Sequence, residues 1–306
     1  MGKIIKVATR SSALALKQTE LVVSSLQREN PEFRFEVVTF STTGDRVTDK
    51  PLYSFRGTGV FVKEIQQALI DSKADLAVHS LKDMPIESHD DLSVVSFPQR
   101  ESPFDLFISS DGTSVDTIRK GAVVGTSSVR RMVQLKNIRE DFRFKDLRGN
   151  VNTRLDKLKR GQYDAIVLAE AGLRRLGVDY SPSFVLDPSR CLPAPGQGIL
   201  ALECRKTDLQ TLAVAESIND KRAMTEASCE RDFLKCIGGG CTAAIAALSR
   251  VNKEGIAIEA LVGDPNTAEV VRLSCETRHG ENKPVGEILA RRIQKLCIEK
   301  GISVDG

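Results

Sequence analysis

The sequence predicts an α/β protein, with two α/β domains followed by a smaller α+β domain. Three observations predict it. Strand and helix patterns alternate from Lys3 to Phe97, and the alternation restarts near Arg100. From about Lys221 the grammar changes to one helix, three strands and a closing helix. A chain of 306 residues is long for one core and suits two or three domains.

Taken in order, Lys3–Ala8 is a short β-rich run, and Ser11 or Ser12 can cap the helix that follows to about Arg28. Arg34–Phe40 alternates polar and apolar residues, the period of a strand. A glycine-rich loop leads to a helix over about Val60–Ser72, with Val60, Phe61, Glu64, Ile65, Ala68 and Leu69 at helical spacing. Asp75–Val78 and Leu92–Phe97 read as buried strands, joined by right-handed crossovers. In the second half Ala122–Gly125 and Asp164–Leu168 are strands, and Ser127–Ile138, Asn150–Arg160 and Glu170–Leu176 are helices. Leu192-Pro-Ala-Pro-Gly-Gln-Gly198 is punctuated like a crossing between domains. Beyond it a helix runs from Lys221 to Lys235, and the loop Gly238-Gly-Gly-Cys241 follows. Strands at about Ala243–Ser249, Gly255–Val262 and Glu269–Glu276 then lead to a helix near Pro284–Lys300. No internal repeat stands out in the residues.

No apolar run approaches the roughly 20 residues that span a bilayer. The N-terminus lacks the apolar core of a secretory signal and reads directly as a strand, so a cytoplasmic location is expected. Seven cysteines, an odd number without a CxxC pair, argue against a disulfide framework. With only His79, His89 and His279 to add imidazoles, no metal site is expected. Net charge is +3 but unevenly placed: Arg130–Arg160 holds eleven Lys/Arg against four acids, which suggests an anionic ligand.

Three turns carry the chemistry of such a ligand. Thr126-Ser127-Ser128-Val-Arg130-Arg131 follows a strand and opens a helix, so free N–H groups, hydroxyls and guanidiniums converge at a positive dipole end. Arg148-Gly149-Asn150-Val-Asn-Thr-Arg154 repeats the arrangement, and Thr9-Arg10-Ser-Ser12 does so in the first domain. One such turn is more often a capped helix with a solvated arginine; three together favour an anion cleft. His79-Ser-Leu-Lys82-Asp83 begins where a buried strand ends, which is where α/β sheets bind ligands. Lys82 and Asp83 could form a simple ion pair, or Asp83 could stabilise a cation and move a proton. His79 is read as a structural hydrogen-bonding residue. The three glycines before Cys241 allow either an exposed, reactive thiol or a turn ending in a buried one.

At these residues the sequence closely resembles the hydroxymethylbilane synthase (porphobilinogen deaminase) family. The match covers Thr9–Gln18, Gly59–Glu64, Ala77–Pro85, Val124–Arg131, Leu147–Asn150 with Thr153–Leu155, Tyr163–Ala169, Ala171–Leu173, Pro195–Gly198 and Glu203–Arg205, followed by the glycine–cysteine loop. The resemblance implies two domains related to type II periplasmic binding proteins and a third bearing the cysteine. Their expected limits are 1–98 with 199–218, 103–193 and 221–306. It implies a dipyrromethane cofactor on Cys241, with Cys236 the close rival, and porphobilinogen as substrate, four molecules being joined with loss of ammonia. Asp83 matches the catalytic aspartate. Lys82, Ser128, Arg130, Arg131 and Arg154 match cofactor-holding positions. Arg10, Ser12, Phe61, Thr126, Ser127, Arg148, Gly149, Asn150 and Gln197 match substrate contacts. A monomer without nucleic acid is expected. Two departures stand out: Arg56-Gly-Thr58-Gly59 lacks the usual loop lysine, and Ile237-Gly-Gly-Gly precedes Cys241 where Glu-Gly-Gly is common. The competing readings are a non-enzymatic, two-lobed carboxylate or phosphate binder, and nucleic-acid binding through Arg130–Arg160, where only Phe142 and Phe144 interleave.

Overall fold

A computed structural model describes residues 3–42, 62–87, 89–238, 244–281 and 283–303. In chain order the strands are β1 (Ile4–Arg10), β2 (Arg34–Phe40), β3 (Leu76–Ser80), β4 (Leu92–Ser96), β5 (Asp105–Ser109), β6 (Val123–Gly125) and β7 (Arg143–Lys145). They continue with β8 (Ala165–Ala169), β9 (Phe184–Leu186), β10 (Leu200–Arg205), β11 (Ala244–Val251), β12 (Gly255–Gly263) and β13 (Val270–Arg278). The helices are α1 (Ala13–Glu29), α2 (Lys63–Ile70), α3 (Val129–Ile138), α4 (Val151–Lys159), α5 (Glu170–Leu176), α6 (Leu209–Glu216), α7 (Lys221–Ile237) and α8 (Val285–Lys300). Five of these, β5, β7, β9, β10 and α6, were not among the elements expected from periodicity. Val60 and Phe61, expected in the second helix, lie outside the described residues.

The chain divides into two compact units, 1–50 with 57–101 and 198–225, and 51–56 with 102–197 and 226–306. In the first unit a five-stranded sheet has the order β2-β1-β3-β10-β4. The first three strands are parallel, and β10 runs antiparallel to both β3 and β4. Both faces of β1 and β3 are apolar, as a covered parallel sheet requires. Ile5, Val7, Leu76 and Val78 pack with Val22 and Leu26 of α1 and Val214 of α6. Ala8 and Ala77 pack with Ile65 and Leu69 of α2.

The second unit holds a sheet of order β7-β6-β8-β5-β9. Here β6 is parallel to β7 and β8, and β5 is antiparallel to β8 and β9. The two sheets therefore repeat one layout, with the reversed strand drawn from the end of the chain segment in one and from its beginning in the other. This repeat is topological and leaves no residue-level repeat. The same unit contains the antiparallel sheet β11-β12-β13. One face of that sheet packs on Phe233 of α7 and on Leu289 and Ile293 of α8. Residues of its other face, Ala246, Leu248 and Leu261, join Phe104 and Leu192. The helices approach closely at Gly286, where a Cβ would lie 2.4 Å from the carbonyl oxygen of Cys229. The architecture is thus α/β in two sheets with a smaller α+β part at the C-terminal end. No helix among the described residues is long and apolar enough to cross a membrane.

Candidate active site

In the first unit the site is built on the end of β3. Leu81–Asp83 forms a single 3-10 turn directly after it, pinned by the Leu81 amide donating to the Ile199 carbonyl at 3.0 Å. This places a half-buried Asp83 in a cleft lined by Arg10, Ala15, Gln18, Val62, Val78, His79 and Ser80, with Lys82 beside it exposed. Ser12 caps α1 by accepting from the Ala15 amide at 3.3 Å, which decides between Ser11 and Ser12. Gln18 bonds Ser80 across the cleft wall. His79 is buried and reaches Glu203 at 3.1 Å, while the Gln66 side-chain amide donates to the other Glu203 oxygen at 2.9 Å. The structural reading of His79 agrees with this geometry.

In the second unit the start of α3 is tied down at nearly every polar atom. Ser128 is the N-cap and accepts from the Arg131 amide. Thr126 is buried and its hydroxyl oxygen accepts from the Ser128 amide. The Ser127 hydroxyl donates to the Leu147 carbonyl and accepts from the Leu147 amide, both at 3.1 Å. Arg130 and Arg131 turn inward rather than towards water. Arg130 donates to Asp105 at 2.8 Å and to the Leu192 carbonyl at 2.7 Å. Arg131 donates to the other Asp105 oxygen at 2.6 Å and to the Val167 carbonyl at 2.9 Å. Gln197, 1% exposed, donates to Asp105 at 2.9 Å and to the Pro103 carbonyl at 2.6 Å. Burial pushes the Asp105 carboxyl up, but the two guanidiniums outweigh it and hold the group well below the usual carboxylate range.

One crossover later, Asn150 caps α4 by accepting from the Thr153 amide at 2.9 Å. Gly149 precedes it with φ +111°, and a Cβ there would lie 2.7 Å from the Thr153 side chain, so the turn needs glycine. Arg154 donates through Nε to the Gly149 carbonyl at 2.7 Å. Three buried guanidinium atoms, Nε of Arg131 and Nε and Nη2 of Arg148, have no hydrogen-bond partner among the described residues. Buried N–H donors of this kind call for an acceptor, and a carboxylate is the acceptor that suits a guanidinium fork. The donor set therefore fits a ligand bearing several carboxylates. Cys241, Phe61, Arg56 and Thr58 lie outside the described residues. The rival Cys236 sits partly buried on α7, its thiol against the Glu287 carbonyl.

Motif reading missed Asp105, Glu203 and Gln66 as polar partners. The signal was present for the two acids: each stands in an apolar strand, Phe104-Asp-Leu-Phe-Ile108 and Leu200-Ala-Leu-Glu203-Cys, where a charge survives only if paired.

Fold and site together define an α/β protein that gathers cationic side chains at strand-to-helix turns. The family model "Porphobilinogen deaminase, dipyromethane cofactor binding domain" matches residues 5–213, and "Porphobilinogen deaminase, C-terminal domain" matches 224–295. The porphobilinogen deaminase of Bacillus subtilis (strain 168) is 43% identical over 304 residues, covering 98% of this chain and 95% of that protein. That of Bacillus velezensis is 40% identical over 301 residues, covering 98% and 94%. A solved LysR-family transcriptional regulator, CbnR, is 10% identical with a TM-score of 0.44 over 71% of each chain, too distant to carry an argument. The chain belongs to the porphobilinogen deaminase (hydroxymethylbilane synthase) family. It is a transferase of porphyrin and heme biosynthesis that condenses porphobilinogen into the linear hydroxymethylbilane, with a dipyrromethane cofactor. The non-enzymatic binder draws no support from these matches.

Proposed function

We propose that Asp83 is the catalytic carboxylate of this reaction and that Cys241 anchors the dipyrromethane through a thioether. The unpartnered buried N–H groups of Arg131 and Arg148 carry the carboxylate side of this reading, because every pyrrole unit brings an acetate and a propionate to satisfy. When bound, the dipyrromethane supplies the primer on which the pyrrole chain is extended. Lys82, Ser128, Arg130, Arg131 and Arg154 hold the primer's carboxylates. Arg10, Ser12, Phe61, Thr126, Ser127, Arg148, Gly149, Asn150 and Gln197 serve the substrate.

Asp83 sits in the Arg10 cleft, where a carboxylate can stabilise a developing pyrrolic cation and take or give a proton as ammonia departs. The three-domain division, 1–98 with 199–218, 103–193 and 221–306, belongs to the same reading. So does a cytoplasmic monomer that binds no nucleic acid. The free cysteines suit a reducing compartment, and exposed large apolar residues such as Ile4, Val185 and Ile298 are scattered. Arg130, Arg131 and Arg139 are committed to Asp105 and Asp141 rather than arrayed as a basic stripe.

Intact mass of the purified, denatured chain tests the anchor. Wild type is expected to carry an increment of two linked pyrroles and Cys241→Ser none. An increment that persists in Cys241→Ser sinks the assignment. Asp83→Asn should keep the increment and lose about 100-fold or more in kcat.

A further inference from the structure

Asp105 has no place in the chemistry assigned so far, although three side chains converge on it. It is fully buried on β5, and each of its oxygens takes an arginine from the first turn of α3. Each guanidinium is then gripped a second time by a carbonyl, Leu192 for Arg130 and Val167 for Arg131. Gln197 closes the ring by donating to the Asp105 oxygen that Arg131 uses. An arginine on a free helix turn samples many rotamers and loses that freedom on binding. Here the freedom is removed in advance.

The charge count matters as much as the aim. One carboxylate between two guanidiniums leaves a single positive charge in a site where both arginines are less than a tenth exposed. A buried surplus charge is unfavourable until a counter-charge arrives. Of the nitrogens of Arg131, Nε is buried and has no partner among the described residues.

We propose that Asp105 is a positioning residue that acts through Arg130 and Arg131, presetting both guanidinium planes and leaving one positive charge to select a carboxylate. Gln197 then serves by locking Asp105. The inference rests on the reading that these arginines hold the primer's carboxylates, and the variants separate the two.

Full-length Asp105→Asn, Arg130→Gln, Arg131→Gln and the double variant Asp105→Asn/Arg130→Gln are each produced in cells that make no porphobilinogen, so that they start without the increment. They are incubated with porphobilinogen beside wild type prepared in the same way. The rate of gain of the dipyrromethane mass is followed on denatured samples, with thermal midpoints in parallel. Asp105→Asn is expected to gain the mass roughly 10- to 100-fold more slowly. Uptake at the wild-type rate by Asp105→Asn, while Arg131→Gln fails, overturns the positioning role and leaves the arginine reading intact. Wild-type uptake by Arg131→Gln overturns both. Asp105→Asn leaves two buried cations without a counter-charge and can fail to fold, so the double variant decides. Its charge matches that of the native cluster and Arg131 stays in place. Uptake at least tenfold slower than in Arg130→Gln alone supports the role. Equal uptake reduces Asp105 to charge balance and overturns it.

Discussion

Thiol chemistry must be confined to one residue if a single cysteine is to carry a covalent primer. Burial pushes the Cys191 and Cys204 thiols up to about 11 and Cys229 up to about 12, and nearby Asp105, Asp208 and Glu230 push the same way. At pH 8 roughly one in a thousand of the Cys191 and Cys204 thiols, and about one in ten thousand of the Cys229 thiol, is ionised, and the thiolate is the nucleophile. Iodoacetamide at pH 8 is therefore expected to leave these three unmodified in the native protein and to label them after unfolding, as read by peptide mass mapping. Native labelling of Cys191 would mean that Arg130, which bonds its sulfur, outweighs burial. At this scale motif reading reached the candidate residues Asp83, Arg130, Arg131, Arg148 and Arg154 but not what holds them. A motif shows which side chains occur at a turn. It does not show that Arg130 and Arg131 point inward at an acid that lies 25 positions from Arg130.

The helix starts show how one residue type serves two demands. Ser12, Ser128 and Asn150 each cap a helix through a side-chain oxygen, and each stands beside an arginine-bearing turn. The cap and the ligand contact make different predictions at Asn150. Asn150→Ala should cost about 1 kcal/mol in chemical denaturation, while Asn150→Asp should keep the cap and gain slightly from the helix dipole. If Asn150 also meets a substrate carboxylate, Asn150→Asp should raise KM for porphobilinogen several-fold despite its stability. An unchanged KM would leave Asn150 as a cap alone. Elements with such signals were legible: α1, α3, α4 and α8 lie close to their expected bounds because length and apolar period agree. The three-residue strands β7 and β9 are too short to show a period. In β5 an acid stands at the first residue and in β10 an acid interrupts an apolar run, and in each the acid's partner comes from a distant part of the chain.

At the scale of the molecule, what periodicity could not show is how segments far apart in sequence share one core. The second unit joins the β5–β9 sheet to the C-terminal sheet, and Glu230 on α7 sits at the joint, fully buried. One of its oxygens accepts from the Ser249 amide and hydroxyl, at 2.8 and 2.9 Å, and the other from the Gly196 amide at 2.6 Å. Gly196 adjoins Gln197, which bonds Asp105, so a continuous set of bonds runs from β11 to the arginine pair. A neutral amide cannot replace this carboxylate, because Glu230→Gln turns an NH2 group towards at least one donor. The loss is expected to be about 2 kcal/mol. If the unit is one cooperative body, hydrogen exchange in Glu230→Gln should quicken together in β5, β8, β11 and β12. Loss of protection confined to β11–β13 would show instead that the C-terminal sheet opens by itself. Glu230 would then be a local staple, with no part in holding the arginine pair in place.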